Sequence, residues 1–433
     1  MPLALEGDLA ARMVEGIDRF LGRELAASVA TRPRRYTRDL SSPAAYTESV
    51  EPNRQRLAAL VGAADRREPI RLELAGTLSK PALVGEGSGF RVYAVRWAAL
   101  RGVDAEGLLL EPDGKPAADV VALPDCDWSP EAIAGLVAGV APEGQFARRL
   151  AGSGCRVLVP TLIDRRASYS GLPGVRMTNQ PHREFLYRAA YEMGRHIVGF
   201  EVQKVRAAVE WFRLESAGAR PVGVIGYGEG GLVALYAAAV ETRIDAAAVS
   251  GYFGPREGIW QEPIYRNVWS LLTEFGDAEI ASLIAPRPLV IEASRHPEVP
   301  GPPRLQDWSG AAPGRLTTPP LEAVEGEVRR ARALVAGLVP RPEIRFVARR
   351  DGPAGASATL EAFLAGLGVK RAPPPSGAAP RVLRASFETD SRMKRQFDQL
   401  LEHTQYLMRE GEFRRAAFWA RADASSLERY RET

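Results

Sequence analysis

Residues 222–240, VGVIGYGEGGLVALYAAAV, have the pattern of a buried strand, a tight glycine turn and a buried helix. A turn of this kind presents its central residue at the end of the strand, where an enzyme can expose a nucleophilic serine. The turn reads GYGEG, and its central residue is Gly228. Because glycine has no side chain, this position cannot supply a nucleophile.

Other side chains could replace the missing nucleophile or serve as acid and base. Cys126 and Ser250 lie at the ends of predicted strands, but neither is on a tight turn. His182 and His296 could act as acid or base, and Glu298 could orient a histidine. His182 follows a proline at the start of a predicted helix, where a structural role is the alternative. We therefore assign no catalytic residue from the sequence.

Polar residues follow several of the predicted strands and could line a pocket at the sheet edge. Around Gly228 of the turn, they are Asp125, Asp127, Asp164, Arg165, Glu229, Tyr252, Glu292, His296 and Asp351. A pocket of carboxylates would suit a small polar ligand or a divalent cation. The alternative is that they are solvated loop residues and helix caps, and Glu229 is explained by the dipole of the helix that it begins. We predict no metal and no cofactor.

Short apolar runs predict the strands that must position these residues. The predicted strands are 90–100, 105–112, 118–124, 155–162, 222–227, 245–253, 288–293 and 343–348. The later runs are continuous in Val, Ile, Leu and Ala, which is typical of parallel strands covered on both faces. Helical patterns fill the gaps after the third strand. The sequence therefore predicts an α/β fold with an eight-stranded, mostly parallel, doubly wound sheet.

The chain divides into four segments by pattern. They are a helical N-terminal extension (1–85), the α/β domain (86–370), a Pro-rich linker (371–382) and a helical C-terminal segment (383–433). We expect the last segment to be the least tightly attached, with proteolysis starting between residues 370 and 382.

Two short sequence matches link the ends of the chain. ARMVEGIDRFL (11–21) matches SRMKRQFDQLL (391–401), and DLSSPAAY (39–46) matches DASSLERY (423–430) in the same order. Repeated sequence normally marks repeated structural units. The matches predict the first half of a tandem protein, or one whose second unit has been lost.

Composition excludes several classes of function. The chain has 433 residues, of which 45% are hydrophobic, and its net charge of +4 comes from scattered arginines, so we predict no nucleic-acid binding. No apolar run is long enough to span a membrane. The N-terminus has no signal-peptide pattern. We predict a cytoplasmic protein, or a secreted or periplasmic one if a leader has been removed.

The glycine turn and the segment LIAPRPLVIEA resemble the α/β-hydrolase superfamily, in its dienelactone-hydrolase and acetyl-xylan-esterase-like branch, over residues 90–368. The resemblance implies a serine on the turn, an acid after the seventh strand and a histidine after the eighth. The loop after the seventh strand reads SRHPE and holds His296 and Glu298 but no Asp. The loop after the eighth reads RRDG and holds no histidine. Asp125 and Asp127 lie where the family needs donors for an oxyanion, which carboxylates oppose.

These departures predict a catalytically degenerate member of the superfamily. It would act as a scaffold, or as a domain that binds a ligand or partner, for a hydrolase unit in the same polypeptide or in another protein. The alternative is an active carboxylic-ester hydrolase, similar to acetyl xylan esterases or dienelactone hydrolases, with an atypical site.

Overall fold

The computed structural model describes residues 7–304, 308–349, 352–374 and 377–433. In these ranges the strands are β1 (Leu72–Leu74), β2 (Leu83–Gly87), β3 (Phe90–Leu100), β4 (Val103–Pro112), β5 (Asp119–Leu123), β6 (Arg156–Pro160), β7 (Val222–Tyr227), β8 (Ala246–Ser250), β9 (Leu289–Ser294), β10 (Ile344–Arg349) and β11 (Arg381–Val382). The eight predicted strands are all present, as β3 to β10. The sheet also holds β1, β2 and β11, which the prediction of eight strands missed because they are short, partly exposed strands without an apolar run.

The sheet is parallel around the glycine turn and antiparallel at one side. Its order is β10-β9-β8-β7-β5-β6-β4-β3-β2-β11, and β1 pairs with β3. All neighbours from β10 to β6 are parallel. The remaining pairs are antiparallel. The predicted mostly parallel arrangement is therefore confirmed for the eight predicted strands.

Helices cover both faces of the sheet. In the described part of the chain they are α1 (Leu9–Thr31), α2 (Pro43–Ser49), α3 (Glu51–Leu60), α4 (Pro130–Ile133), α5 (Phe146–Gly152), α6 (His182–Tyr191), α7 (Ile197–Glu215), α8 (Glu229–Val240), α9 (Asp277–Ile284), α10 (Leu321–Leu334), α11 (Ser357–Gly366), α12 (Thr389–Trp419) and α13 (Leu427–Glu432). One apolar core includes side chains of α7, α8 and α9. A second core includes side chains of α5 and α11. Two cores, one on each face, are what a doubly wound sheet requires.

The two terminal helices differ in how they attach to the α/β domain. α1 has no buried residue, and the stripe that includes Met13, Ile17 and Phe20 is exposed. The first half of α12, by contrast, packs against β4 and α6 and places Phe397 and Leu400 in the main core. The expectation that residues 383–433 are the least tightly attached is therefore wrong for the first half of α12. None of the described helices is both long enough and apolar enough to cross a membrane.

Candidate functional site

The glycine turn has the backbone that a nucleophile elbow requires. β7 ends at Tyr227, Gly228 has φ +59° and ψ −121°, and α8 begins at Glu229. Two flanking positions must be glycine for steric reasons: a Cβ on Gly226 would lie 2.0 Å from the Gly230 carbonyl oxygen, and one on Gly230 would lie 2.3 Å from the Leu123 carbonyl oxygen. The sequence thus builds the strand–turn–helix element, with Gly228 in the place of the nucleophile.

The space above Gly228 is filled by other parts of the chain. A Cβ built on Gly228 would lie 2.4 Å from Oδ2 of Asp125 and 2.5 Å from Cγ of Pro297. Both distances are well inside van der Waals contact. A side chain at Gly228 would therefore require Asp125 and Pro297 to move.

The backbone donor next to the elbow is already used. In this fold the N–H of the residue after the nucleophile helps to bind the oxyanion of the reaction. Here that group is the N–H of Glu229, and it donates to Oδ2 of Asp125 at 3.0 Å. An internal carboxylate therefore occupies the donor that a substrate oxyanion would need.

Arg165 holds this carboxylate in place. Its guanidinium lies 2.7 Å from Oδ1 of Asp125, 2.7 Å from Oδ2 of Asp127 and 3.1 Å from Oε1 of Glu229. Its Nε donates to the hydroxyl of Tyr265 at 2.9 Å. The Arg165 side chain is about nine-tenths buried, so these contacts are poorly screened by solvent. The result is a closed ion network over the elbow.

Glu229 lies at the buried end of the same network. Arg266 Nε donates to its carboxylate at 2.8 Å, and Arg183 lies 3.7 Å away. Burial raises the pKa of Glu229, but Arg266, Arg183 and Arg165 outweigh burial and lower that pKa to about 2. Glu229 therefore stays ionised as part of the protein interior. Three arginines therefore stabilise the charge of Glu229, in addition to the helix dipole that was considered from the sequence.

One group in the described residues has the spacing of a metal site: Asp125, Cys126 and Asp127. Arg165 bonds both carboxylates and supplies the positive charge that a metal ion would bring. The Cys126 thiol is buried, and burial raises its pKa well above the usual range, which opposes the thiolate form that binds metals. The donor set therefore fits an internal ion pair better than a cation site.

The carboxylate of Glu292, on β9, accepts hydrogen bonds that hold the fold together and does not orient a histidine. It accepts the hydroxyl of Ser250 at 2.5 Å. It also accepts the N–H groups of Gly355 at 2.8 Å and Ala356 at 2.9 Å. These bonds connect β8 and β9 to the loop before α11. Ser250 donates its proton to an acid instead of a histidine, so it is not arranged as a nucleophile.

The two candidate histidines lie apart and in different surroundings. His182 Nδ1 is 2.6 Å from Asp164, and its Nε2 accepts the N–H of Tyr169 at 3.1 Å, so both ring nitrogens are used. His296 is buried, and burial together with Arg256 and Arg266 lowers its pKa well below the usual value. In the described part of the chain, no serine or cysteine side chain is hydrogen-bonded to a histidine ring.

The remaining predicted residues do not converge on one pocket. Glu298 is exposed and pairs with Arg295 at 3.1 Å. Tyr252 is buried against the guanidinium of Arg256. Asp125, Gly228 and Glu229 lie together but face the ion network rather than open space. Asp351 lies outside the described residues.

A cavity of about 740 Å³ lies beside the elbow, and the sequence prediction missed it. Asp127 and Asp164 are predicted pocket residues in its wall, and the candidate Cys126 also lines it. The far wall is formed by residues 382–393, which we call the strap. The neighbouring Arg165 could be placed at the sheet edge from the sequence, but its ion network could not. An arginine directly after Asp164, at the end of β6 and facing the acidic loop after β5, was the available signal.

Known proteins share this architecture. Residues 112–268 match the model of the Dienelactone hydrolase family. Among solved structures, the chain is similar to a provisionally assigned acetyl xylan esterase from Bacteroides fragilis NCTC 9343, with a TM-score of 0.54 and 14% identity over 75% of this chain and 80% of that one. It is also similar to the glucuronoyl esterase from Solibacter usitatus, with a TM-score of 0.50 and 14% identity over 76% of this chain and 94% of that one.

No curated protein matches the chain in sequence. At 14% identity the two structural similarities establish the fold alone. Together with the family model, which spans the elbow and the loop after β5, they agree with the resemblance stated from the sequence. The chain therefore has the α/β-hydrolase fold, and its residues 112–268 are similar to the Dienelactone hydrolase family.

Proposed function

We propose that this α/β-hydrolase-fold protein is catalytically degenerate and works by binding a ligand or a partner. The observation that carries the proposal is the Asp125 carboxylate, which accepts the Glu229 N–H and lies against the position of the missing nucleophile. Ester hydrolysis in this fold needs a nucleophile, a base that takes its proton, and donors aimed at the developing oxyanion. Gly228 has no side chain to act as a nucleophile, the sequence after β10 supplies no histidine, and Asp125 occupies one oxyanion donor.

Electrostatics support the same proposal. A tetrahedral oxyanion beside Glu229 would meet the negative charge of Asp125 at hydrogen-bond distance. Like charges in a water-poor site repel strongly, because the low dielectric screens them little. Arg165 does not relieve this repulsion, since its N–H groups are directed to Asp125, Asp127, Glu229 and Tyr265.

The experiment is a comparison of ester hydrolysis with a matched variant. We expect the purified chain to hydrolyse p-nitrophenyl acetate no faster than its Glu292→Gln variant does, because neither protein has a working triad. Both rates should equal that of a heat-inactivated sample. Saturable hydrolysis by the unmodified chain would contradict the proposal.

A second candidate is an active carboxylic-ester hydrolase with an atypical site, and the family match over residues 112–268 favours it. This candidate needs a nucleophile elsewhere, and Ser250 and Cys126 are the candidates at the ends of strands. A specific prediction separates the two functions. If the alternative holds, Ser250→Ala or Cys126→Ala abolishes a measurable esterase activity of the parent chain.

The partner part of the proposal rests on α1. Its stripe that includes Met13, Ile17 and Phe20 is exposed, whereas the matching residues of α12 are mostly buried against the α/β domain. Apolar stripes of this length are normally covered. We propose that a hydrolase unit, in the same polypeptide or in a partner, packs against this face of α1.

A further inference from the structure

The cavity beside the elbow is separate from the degenerate catalytic position. It lies at the carboxyl ends of β5 and β6, and the strap forms one of its sides. Gly228, Glu229 and His296 are not part of its wall. Its volume of about 740 Å³ is in the range of sites that bind small organic molecules. The carboxyl edge of an open α/β sheet is also where such folds place their ligands.

Three polar side chains of the cavity wall have buried atoms without a hydrogen-bond partner. They are Oγ1 of Thr161, Nε of Arg384 and Nε of Arg392. The Thr161 and Arg392 side chains are each about nine-tenths buried. Buried donors are normally satisfied, since an unmet one destabilises the fold. Such donors in the wall of one cavity indicate a ligand rich in acceptor atoms.

Two of the three arginines in the described cavity wall form ion pairs with carboxylates. Arg392 bonds both oxygens of Glu131, at 2.8 and 2.9 Å. Arg166 bonds Asp164 and Asp390, at 2.5 and 2.7 Å.

Arg384 differs from these two arginines. Its donors reach the carbonyl oxygens of Lys80 and Pro81, and it has no ion pair with a described carboxylate. Because its hydrogen bonds are to neutral carbonyls, no paired carboxylate in the described part of the chain offsets the positive charge of Arg384. Its guanidinium is therefore suited to bind a carboxylate.

The rest of the wall is apolar and partly aromatic. Trp128 stacks on Tyr227 with ring centroids 4.7 Å apart, which fixes the plane of the indole. Phe387 of the strap and Leu136 also line the cavity, and Phe387 packs against the second core. A flat apolar body therefore complements this part of the wall.

We propose that the strap cavity binds a small organic carboxylate with a flat apolar body, with Arg384 pairing its carboxylate and Trp128 packing against its body. This inference rests on the proposed function, because it names the ligand class of a binding protein. It assigns no reaction to the cavity. The strap, which comes from the C-terminal segment, thereby gains a role in forming the site.

The probes are 2-naphthoate and its neutral analogue 2-naphthamide, measured on the full chain by isothermal titration calorimetry. We expect 2-naphthoate to bind at least about tenfold more tightly than 2-naphthamide, as a charge-assisted pair implies. Arg384→Gln should remove this preference. Arg381→Gln, a change at an exposed arginine just before the strap, should leave both dissociation constants unchanged.

Trp128→Leu should weaken the binding of both probes and leave the preference for the carboxylate unchanged. This result would separate the contribution of packing from that of charge. The inference is overturned if 2-naphthoate does not bind at millimolar concentration. It is also overturned if the amide binds equally well, or if Arg384→Gln changes nothing. Ester hydrolysis is a separate readout: activity without naphthoate binding contradicts both proposals, whereas activity with Arg384-dependent binding contradicts only the proposed function.

Discussion

Asp125 is the residue on which the interpretation of the elbow depends. Its carboxylate bonds the Glu229 N–H and Arg165, and it lies 2.4 Å from where a Cβ of residue 228 would be. Replacing a single residue therefore does not restore a hydrolase site. The nucleophile position, the oxyanion donor and the charge balance are connected through this one side chain.

Gly228→Ser should not create an esterase. The added side chain displaces Asp125 from the Glu229 N–H, and no histidine is in place to accept the serine proton. We expect p-nitrophenyl acetate hydrolysis to stay within about tenfold of the unmodified chain.

The same variant should also lose stability. The matched control is Gly102→Ser, because Gly102 also has a positive φ but has open space around it. Both changes carry backbone strain, on the order of 1–3 kcal/mol for a residue in a sparsely populated conformation, and Gly228→Ser adds the overlap. We expect the lower urea midpoint for Gly228→Ser. Equal midpoints, or a larger rise in hydrolysis, would contradict the description of the elbow.

Glu229→Gln should destabilise the fold in a pH-dependent way. The pKa of Glu229 is about 2 in the folded protein, below its ordinary value near 4.5. Its contribution to the free energy of unfolding is therefore present above about pH 4.5 and is lost as the pH falls towards 2. Breaking such a buried network costs about 3–5 kcal/mol.

The measurement is urea unfolding of both proteins at several pH values. The difference in the free energy of unfolding between the unmodified chain and Glu229→Gln should be largest at neutral pH. It should shrink as the pH is lowered through about 4. Glu298→Gln is the control, because Glu298 forms an exposed pair with Arg295. A difference that does not change with pH would show that the charge of Glu229 is not what stabilises the network.

At the scale of elements, α12 consists of two halves with different surroundings. Phe397 is buried against α6 and the rings of Phe185 and His182, whereas Phe413, sixteen residues later on the same helix, is 70% exposed. Phe397→Ala should lower the free energy of unfolding by about 3–5 kcal/mol. Phe413→Ala should change it by less than about 0.5 kcal/mol. Chemical denaturation tests both, and equal effects would mean that α12 is attached differently.

α1 should be dispensable for the stability of the α/β domain. It has no buried residue, and only its C-terminal half, from Leu21 on, faces the domain. Arg32, just after α1, donates to the Leu272 carbonyl at 2.8 Å. Deleting residues 1–23 keeps Leu25, Ser28 and Arg32. We expect the thermal midpoint to shift by no more than about 2 °C. A large decrease would show that the first part of α1 packs on its own α/β domain, which would contradict the proposed partner interaction.

For the whole molecule, the sequence predicted the elements whose apolar pattern lies within one short stretch of chain. The continuous runs of β5 to β10 and the glycine turn could be predicted because each pattern lies within one stretch of chain. β1, β2 and β11 could not, because strands this short carry little periodic signal. The prediction for the C-terminal segment was wrong for the first half of α12, because its apolar stripe packs on β4 and α6, contacts that no local pattern reveals.

The candidate site could be predicted only in part. The absence of a serine at the turn, and of a histidine in the loop after β10, is visible in the sequence. The ion network is not, because Arg165 meets Glu229 across 64 residues. The strap cavity joins groups still farther apart: Glu131 and Arg392 are 261 residues apart in sequence. Such contacts depend on the packing of the whole chain.

Whether the chain has an activated nucleophile is tested most directly by intact-protein mass spectrometry after incubation with a fluorophosphonate, which modifies activated serines. An active α/β-hydrolase treated in parallel serves as the positive control. We predict that the mass of the unmodified chain does not change and that the control gains one adduct. Stoichiometric addition of one adduct to a serine of this chain would contradict it.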